Sequence, residues 1–521
     1  MKLNKTFKTI GSMTIITVFA KLSGLLRVSL FANLFGTTEY ADIFLGASRL
    51  PIMFFELTLG AAILSTFIPI FNKKLTIDGK EAAAKFANNF ISITTIFTFI
   101  ICLLGVIFAR QIVGTVLGFE GQALDSAAEI LRILFPVIIF TALAFTSVGI
   151  LQSHGEFNIP AAISLVSNSI MIAYFLIFGR NFGIVGIAVA MLIGWSMQFL
   201  IQVPSLIKKG FRYKFVLNLK DSAIRDVVKL AIPVLISSWV HPIGVFINVI
   251  FAGRIEGDGY IAGLEFANSI YIIGVGVFTL AVTNFIFPKL SRLNAEGDND
   301  GFAKTVKTSI SHLAYVVIPV MALFVALAAP IIQTIYARGE FGEESVALVS
   351  NVLRFYSFGM VAFAITEILN RTFFAMQDGK TPMFASIIGI ACNVALSAYL
   401  MLVQGLGVWA LALSAAVGMT VTATILMIRI SLRKKGILGW GFVLNLLKTL
   451  ICGVGASAAA FFAYRWIARL LTGATVWELL AKLSLASAAG LVVYLGLCWI
   501  GRIKEQQGIL GKLLGKKVDS A

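Results

Sequence analysis

Long apolar stretches separated by short polar loops recur along the chain, from near residue 9 to near residue 500. Each has about twenty residues or more, the length that an α-helix needs to cross the hydrocarbon core of a bilayer. Charged residues, glycine and proline bound them and give these fourteen spans: 9–35, 43–71, 87–109, 129–153, 159–179, 184–207, 227–254, 262–290, 309–337, 349–377, 382–404, 408–433, 443–469 and 478–501. The pattern predicts an all-α polytopic membrane protein with fourteen transmembrane helices.

Composition supports this prediction. The chain has 521 residues, of which 59% are hydrophobic and 13% charged, whereas about a quarter of the residues of a typical soluble domain are charged. No long polar block is present that would form an attached soluble domain. The basic N-terminus is followed by an apolar run that lacks a small-residue cleavage site, so we expect this run to remain as the first transmembrane helix.

Loop charges predict the orientation of the spans, because cytoplasmic loops are enriched in lysine and arginine. With the N-terminus inside, the cytoplasmic loops carry the clustered cations Lys73, Lys74, Lys80, Lys85, Lys208, Lys209, Arg212, Lys214, Lys220, Arg429, Arg433, Lys434 and Lys435. The opposite loops carry mainly acids. Both termini are therefore predicted to be cytoplasmic. This asymmetry accounts for most of the net charge of +17, and no nucleic acid partner is expected.

The chain also resembles itself. Residues 64–75 align with 283–294, which places Pro69 on Pro288, and residues 151–162 parallel 375–386 at nearly the same offset. An even number of spans separates the copies, so the two halves have the same orientation, as in one class of secondary transporter.

The repeat predicts three domains. They are an N-terminal six-helix lobe (1–220), a C-terminal six-helix lobe (221–436), and two additional helices with a cytoplasmic tail (437–521). A substrate cavity is expected between the two lobes.

Ionisable residues inside the bilayer are costly, so they indicate a water-filled cavity or a pair. Helical rise places Lys21 at the depth of Glu56, and Arg27 at the depth of Arg49, with Asp42 near the outer rim. Lys21 and Glu56 are predicted to form an ion pair, while two adjacent cations without an acid at their level favour a bound anion. In the alternative interpretation, both arginines extend to the outer headgroups and only fix the depth of their helices.

The second half carries fewer charges. Glu367 and Arg371 lie four residues apart on one helical face. Glu367 is a candidate coupling site for ions, although pairing with Arg371 would make it merely structural. Nothing in the sequence suggests an enzyme: it has no nucleotide-binding glycine loop, no metal-ligand cluster and only three scattered histidines. We therefore predict a transporter without catalytic residues, metal or cofactor.

Five segments carry a resemblance to a known family. They are AKLSGLLR (20–27), ADIFLGASRLP (41–51), STFIPIFNKK (65–74), IYARGEF (335–341) and FFAMQDGKTP (373–382). They resemble the MurJ/MviN lipid II flippases of the multidrug/oligosaccharidyl-lipid/polysaccharide exporter superfamily. The resemblance implies outward flipping of the undecaprenyl-diphosphate-linked peptidoglycan precursor across the bacterial plasma membrane, for cell-wall synthesis. It also implies a cation-lined cavity for the diphosphate, and a groove for the lipid tail on the last two helices.

Carried over by position, Arg27 matches a cavity arginine of the family, Arg49 a basic position and Asp42 the family acid. Lys21 stands where an arginine is usual. Glu56 is a departure, because it occupies a position of the family's second-helix arginine pair. Together, the charges inside the membrane and the resemblance predict the substrate-binding residues Arg27, Arg49, Lys21, Glu56 and Asp42, with Arg254 of the seventh span as a further cation.

The sodium site described for some members of the family also differs here. Its seventh-span acid corresponds to Asn248, and its eleventh-span pattern of asparagine and acid corresponds to Asn393 and Ser397. These positions are retained as weak coupling or gating candidates, but the missing acids argue against sodium coupling. The membrane potential or another monovalent ion is left as the driving force.

The predicted mechanism is alternating access by a monomer, with Arg27 and Arg49 holding the diphosphate and Lys21 and Arg254 assisting. Two alternatives stay open. One is a flippase for another polyprenyl-linked oligosaccharide. The other is an ion-coupled multidrug antiporter of the same superfamily, which would use an acid such as Glu367 for cationic drugs.

Overall fold

A computed structural model of the chain describes residues 2–60, 63–238, 240–434, 439–473 and 475–507. Within these ranges the chain forms helices and no strands. The α-helices are α1 (Lys2–Phe35), α2 (Glu39–Phe55), α3 (Ile68–Ile77), α4 (Gly79–Ile107), α5 (Ala109–Leu117), α6 (Gly121–Leu134), α7 (Val137–Ser153), α8 (Asn158–Phe178), α9 (Gly183–Leu200), α10 (Val203–Lys208), α11 (Ser222–Ser238), α12 (Val240–Ala252), α13 (Tyr260–Ala295), α14 (Asn299–Ala326), α15 (Ala328–Tyr336), α16 (Glu343–Ser357), α17 (Met360–Ala375), α18 (Lys380–Ala398), α19 (Trp409–Arg433), α20 (Trp440–Leu470) and α21 (Val476–Ile500). Three π-helical segments are Glu56–Gly60, Ile63–Phe67 and Tyr399–Val403.

The protein is a multi-pass membrane protein, which confirms the predicted all-α class. Among the described residues, eleven helices are long and apolar enough to cross a bilayer. The helices α16 and α17 meet at an angle of 46° and together make a twelfth candidate span. The count of fourteen spans and the cytoplasmic position of both termini remain predictions.

Several predicted spans are divided among more than one helix, including the second and the seventh. The span at 43–71 divides into α2, two π-helical segments and α3, and Pro69 stands in the first turn of α3. The span at 227–254 divides into α11 and α12. Breaks of this kind are tolerated in a membrane protein where neighbouring helices cover the freed backbone groups.

The described chain forms two compact units. The first comprises Met1–Ala262 together with Arg338–Phe341. Its buried core lies around the broken second span, where Phe67 stacks on Phe71, Phe86 and Phe90 with ring centroids 4.6–5.6 Å apart. The helices α11 and α12 contact this broken span and α2. The first unit therefore extends beyond residue 220, where the repeat predicts the end of the first lobe.

The second unit comprises Gly263–Ala337 and Gly342–Ala521. Small residues allow its helices to approach closely, as is common between transmembrane helices: Gly490 of α21 lies against Ala460 of α20. The hydroxyl of Tyr494 on α21 donates to the carbonyl of Tyr315 on α14, 2.8 Å away. The additional helices predicted from residue 437 are thus packed against α14 within this unit.

Candidate functional site

Arg49 and Glu56 form an ion pair on one face of the second span. Arg49 Nη2 lies 3.7 Å from Glu56 Oε2, and the two side chains are 19% and 37% exposed. Seven residues amount to two helical turns, which places both side chains on one face. This pair supplies an acid near Arg49, where the sequence analysis expected none. The acid partner predicted for Lys21 thus contacts Arg49 instead.

The Arg49 guanidinium keeps unused donor capacity. A separation of 3.7 Å is too long for a hydrogen bond. The Nε–H of Arg49 is buried and has no acceptor within the described residues. A buried donor without a partner costs about 1–3 kcal/mol, so an acceptor arriving at this position would be favoured.

Arg27 lies on α1, which is fixed against α8. The Asn168 amide of α8 donates to the Ala20 carbonyl at 3.2 Å and to the Ser23 hydroxyl at 3.1 Å, and Gly24 leaves room for this contact. Arg27 is half-buried, and no hydrogen bond or ion pair to it is found in the described part of the chain. Lys21, two turns earlier, is exposed. Of the predicted cations, Arg27 therefore best fits a free anion-binding group.

Asp42 was predicted as a substrate-binding residue near the outer rim, but its carboxylate is used in a contact within the protein. Its carboxylate is buried and accepts backbone N–H groups from Gly259 at 2.8 Å, Tyr260 at 3.1 Å and Ala262 at 2.7 Å. These groups belong to the first turn of α13 and the loop before it. An anion is stabilised at a helix N-terminus by the helix dipole and the free N–H groups. Asp42 thus joins α2 to the start of α13.

A second contact joins the same end of the unit. The Glu340 N–H donates to the Asn33 carbonyl of α1 at 3.0 Å, and Arg180 pairs with the Glu340 carboxylate at 2.8 Å. Gly339 and Gly36 both have positive φ, and a Cβ on either would overlap a carbonyl oxygen across the contact, of Asn33 and Glu340 respectively.

We call these contacts the outer clamp; its members are Asn33, Gly36, Asp42, Arg180, Gly259, Tyr260, Ala262, Gly339 and Glu340. The sequence analysis did not predict the outer clamp. The string RGEF within IYARGEF, which carried the family resemblance, was the available indication, because glycine is the usual residue where the backbone takes a positive φ or approaches another segment closely.

Arg254, predicted as an assisting cation, lies in the turn after α12. Its side chain is exposed and donates from Nη2 to the Thr115 carbonyl at 3.1 Å. Asn248, in α12 of the same unit, is buried. The structure thus brings Arg49 and Glu56 together, but it places Arg254 on the surface of the unit.

In the second unit, α17 and α18 carry the remaining candidates. Glu367 and Arg371 are half-buried on one face of α17, and no ion pair within 4.0 Å joins these two described residues. On α18, the Ser397 hydroxyl donates to the Asn393 side-chain oxygen at 3.3 Å, and both residues are buried. The predicted coupling positions thus form a polar region without a carboxylate at Asn393 or Ser397.

The string QDGKTP has a structural explanation. Asp378 accepts the N–H groups of Lys380 and Thr381, each at 3.0 Å, and so caps the start of α18. It also pairs with Arg433 at the end of α19. Burial raises the pKa of Asp378, but the bonds from Thr381 and the charge of Arg433 outweigh this and hold it below its usual value. The string therefore fixes the turn between two helices.

Comparison with known proteins adds a family match. The model of a family described as "Lipid II flippase MurJ" matches residues 31–481. The lipid II flippase MurJ of Burkholderia cenocepacia is 26% identical over 440 residues, covering 83% of this chain and 84% of its own. The probable lipid II flippase MurJ of Rhizobium tropici is 26% identical over 510 residues, covering 95% and 93%. That of Vibrio cholerae is 28% identical over 396 residues, covering 73% and 75%.

Solved structures share the fold. One described as "Lipid II flippase MurJ, inward closed conformation" has a TM-score of 0.77 at 23% identity and covers 94% of this chain and 98% of its own. An inward-facing multidrug resistance transporter of the MATE family, in the MOP superfamily, has a TM-score of 0.67 at 18% identity and covers 82% and 99%.

Proposed function

Because the chain belongs to the MurJ family of lipid II flippases, we propose that it moves lipid II from the inner to the outer leaflet of the bacterial plasma membrane by alternating access. The family match across residues 31–481 carries the choice of cargo. The cations of the first two spans carry the proposed binding site. The cytoplasmic termini, the inner-membrane location and function as a monomer belong to the same proposal.

The diphosphate of the cargo cannot enter hydrocarbon without compensation. Arg27 is free of partners among the described residues, and Arg49 has a buried Nε–H without an acceptor. Charge-assisted hydrogen bonds from these two guanidinium groups would satisfy both the phosphate oxygens and the buried donor. Glu56, 3.7 Å from Arg49, holds that guanidinium in place when no cargo is bound.

We propose that the outer clamp closes the outer side of the first unit. It joins segments of both predicted lobes at the outer end, through the backbone of Asn33 and Glu340 and through Asp42. Alternating access requires these contacts to separate when the cargo leaves outward. The clamp is therefore proposed as the outer gate, and Asp42 as a gate residue rather than a ligand of the diphosphate.

The driving force is proposed to be the membrane potential. The cargo is an anion and the cell interior is negative, so outward movement of each charge is favoured by about 2.3 kcal/mol per 100 mV. The uncharged side chains of Asn393 and Ser397 support this choice over a sodium ion. The proposal would be refuted if the transport rate in reconstituted vesicles did not change with the membrane potential but required an ion gradient.

The decisive experiment is rescue of a bacterium depleted of its own lipid II flippase. The intact protein should restore growth, whereas Arg27→Ala should not, and Arg49→Ala should rescue weakly. Arg110→Ala is the matched control, because Arg110 is 57% exposed and pairs with Asp125 at 2.8 Å outside the site; it should rescue fully. Membrane levels of every variant are measured by immunoblotting.

Each opposing outcome has a defined meaning. Failure of the intact, well-expressed protein would contradict lipid II as cargo and favour another polyprenyl-linked saccharide. Rescue by both arginine variants would show that the two cations only fix the depth of their helices.

A further inference from the structure

Residues 211–220 connect α10 and α11 without forming a helix and end in a turn at 219–220; we call this segment the strap. Four large apolar side chains along it, Tyr213, Phe215, Leu217 and Leu219, are 52%, 68%, 50% and 71% exposed. In a membrane protein, exposed apolar side chains next to polar residues mark surface that contacts lipid.

The strap is held firmly along α4. The Asn218 N–H donates to the Asn89 side-chain oxygen at 2.8 Å, and the Asn89 amide donates to the Asn218 carbonyl at 2.9 Å. The Val216 N–H donates to the Ser92 hydroxyl at 3.3 Å, and the Tyr213 hydroxyl lies 2.9 Å from the same oxygen.

Asn89 and Ser92 are each 1% exposed, so their polar groups form hydrogen bonds with the strap and not with water. Phe211 fixes one end of the strap in the buried core of the first unit. The segment is therefore a built surface and not a loose loop.

Its depth corresponds to the inner surface of the bilayer. The predicted third span begins at residue 87, after the cytoplasmic cations of the preceding loop. Asn89 and Ser92 are thus about 3 and 8 Å inside that start, at 1.5 Å per residue. Side chains that satisfy strap backbone groups are required where lipid, and not water, covers the segment.

The charges around the strap are cationic. Arg212, Lys214 and Lys220 lie on it and are exposed, and Lys208 and Lys209 precede it directly. The neighbouring acid, Asp221, is already used: it accepts the Ala223 N–H at 2.9 Å at the start of α11. Cations next to an apolar row match a surface with an acyl interior and negative headgroups.

We propose that the strap is a binding surface for anionic phospholipids of the inner leaflet. The row Tyr213, Phe215, Leu217 and Leu219 enters the acyl boundary, and Arg212, Lys214 and Lys220 bind the headgroup phosphates. This contact is separate from transport of the cargo, and of the proposed function it rests only on the cytoplasmic orientation of the strap.

The test uses the full chain in vesicles that contain no cargo lipid. The four native cysteines are changed to alanine, and Phe215→Cys carries a fluorophore. Its quenching is compared between spin-labelled phosphatidylglycerol and spin-labelled phosphatidylcholine with the same acyl chains. Each cation near the surface contributes about fivefold to anionic lipid binding, so we expect at least about a fivefold preference for phosphatidylglycerol, falling as salt is raised.

Two triple variants distinguish the effect of cations on the strap from the effect of cations elsewhere on the protein. Arg212→Gln, Lys214→Gln and Lys220→Gln should together bring the preference close to one. Lys73→Gln, Lys80→Gln and Lys307→Gln remove the same charge from exposed residues of other predicted cytoplasmic regions and should leave it unchanged. Equal quenching by the two lipids in the intact chain would overturn the proposal, as would no quenching by either or equal loss in both triple variants.

Discussion

In the outer clamp the chain contacts itself mainly through backbone groups, whereas the strap is held by two side chains of α4. The outer clamp relies on glycines that no other residue can replace without overlap, and on one carboxylate that accepts three N–H groups. The strap relies on Asn89 and Ser92 and leaves its apolar row exposed.

The two regions differ in what covers them. The outer clamp buries its polar groups between protein segments, so opening it breaks several contacts together. The strap completes its surface with the bilayer. We propose a gate made of protein at one end and an anchor shared with lipid at the other, and the two should respond differently to substitution.

The largest effect is expected for Gly339→Val in the outer clamp. A branched side chain at positive φ, facing the Asn33 carbonyl, should cost about 3 kcal/mol, which is roughly a hundredfold in the open population. The measurement is the labelling rate of Ser48→Cys by a membrane-impermeant maleimide. Ser48 is suitable because it is buried on α2, six residues after Asp42.

The control for Gly339→Val is Gly342→Val. Gly342 has φ of −76° and no atom within 4 Å of an added Cβ, so labelling should not change. Equal labelling of both variants would show that the glycine contact does not hold the outer end closed.

A smaller effect is expected for Asp42→Asn. The amide keeps the size but presents donors where the carboxylate accepts N–H groups, and hydrogen bonds to charged groups contribute about 1.5–3 kcal/mol. Labelling of Ser48→Cys should therefore increase about tenfold. Asp125→Asn, an exposed acid 59% accessible, is the control. If Asp42 binds cargo instead, Asp42→Asn would abolish rescue without changing the labelling.

The smallest effect is expected for Asn89→Ala at the strap. Two hydrogen bonds to Asn218 are lost, at about 0.5 kcal/mol each on this exposed segment, so trypsin should cut at Arg212 or Lys214 roughly fivefold faster. Asn88→Ala is the matched control, because the Asn88 side-chain oxygen has no partner among the described residues. Ser48→Cys labelling should be unaffected, which separates the anchor from the gate.

Much of the architecture could be predicted from the amino-acid sequence. The membrane class followed from the repeated apolar runs, because the length of a span is set by the thickness of the bilayer. The family followed from strings such as RGEF and QDGKTP, which the structure places in the outer clamp and in the turn capped by Asp378. The face shared by Arg49 and Glu56 followed from helical spacing.

The partners of these residues were decided only by the tertiary structure. Depth along a helix placed Lys21 level with Glu56, but packing leaves the Lys21 side chain exposed, and Glu56 pairs with Arg49 of its own span. Asp42 could be recognised as a family acid, yet its three donors lie some 220 residues away and only folding brings them within 3.1 Å. Local periodicity fixes which side chains share a face; contacts between distant segments depend on how those faces meet.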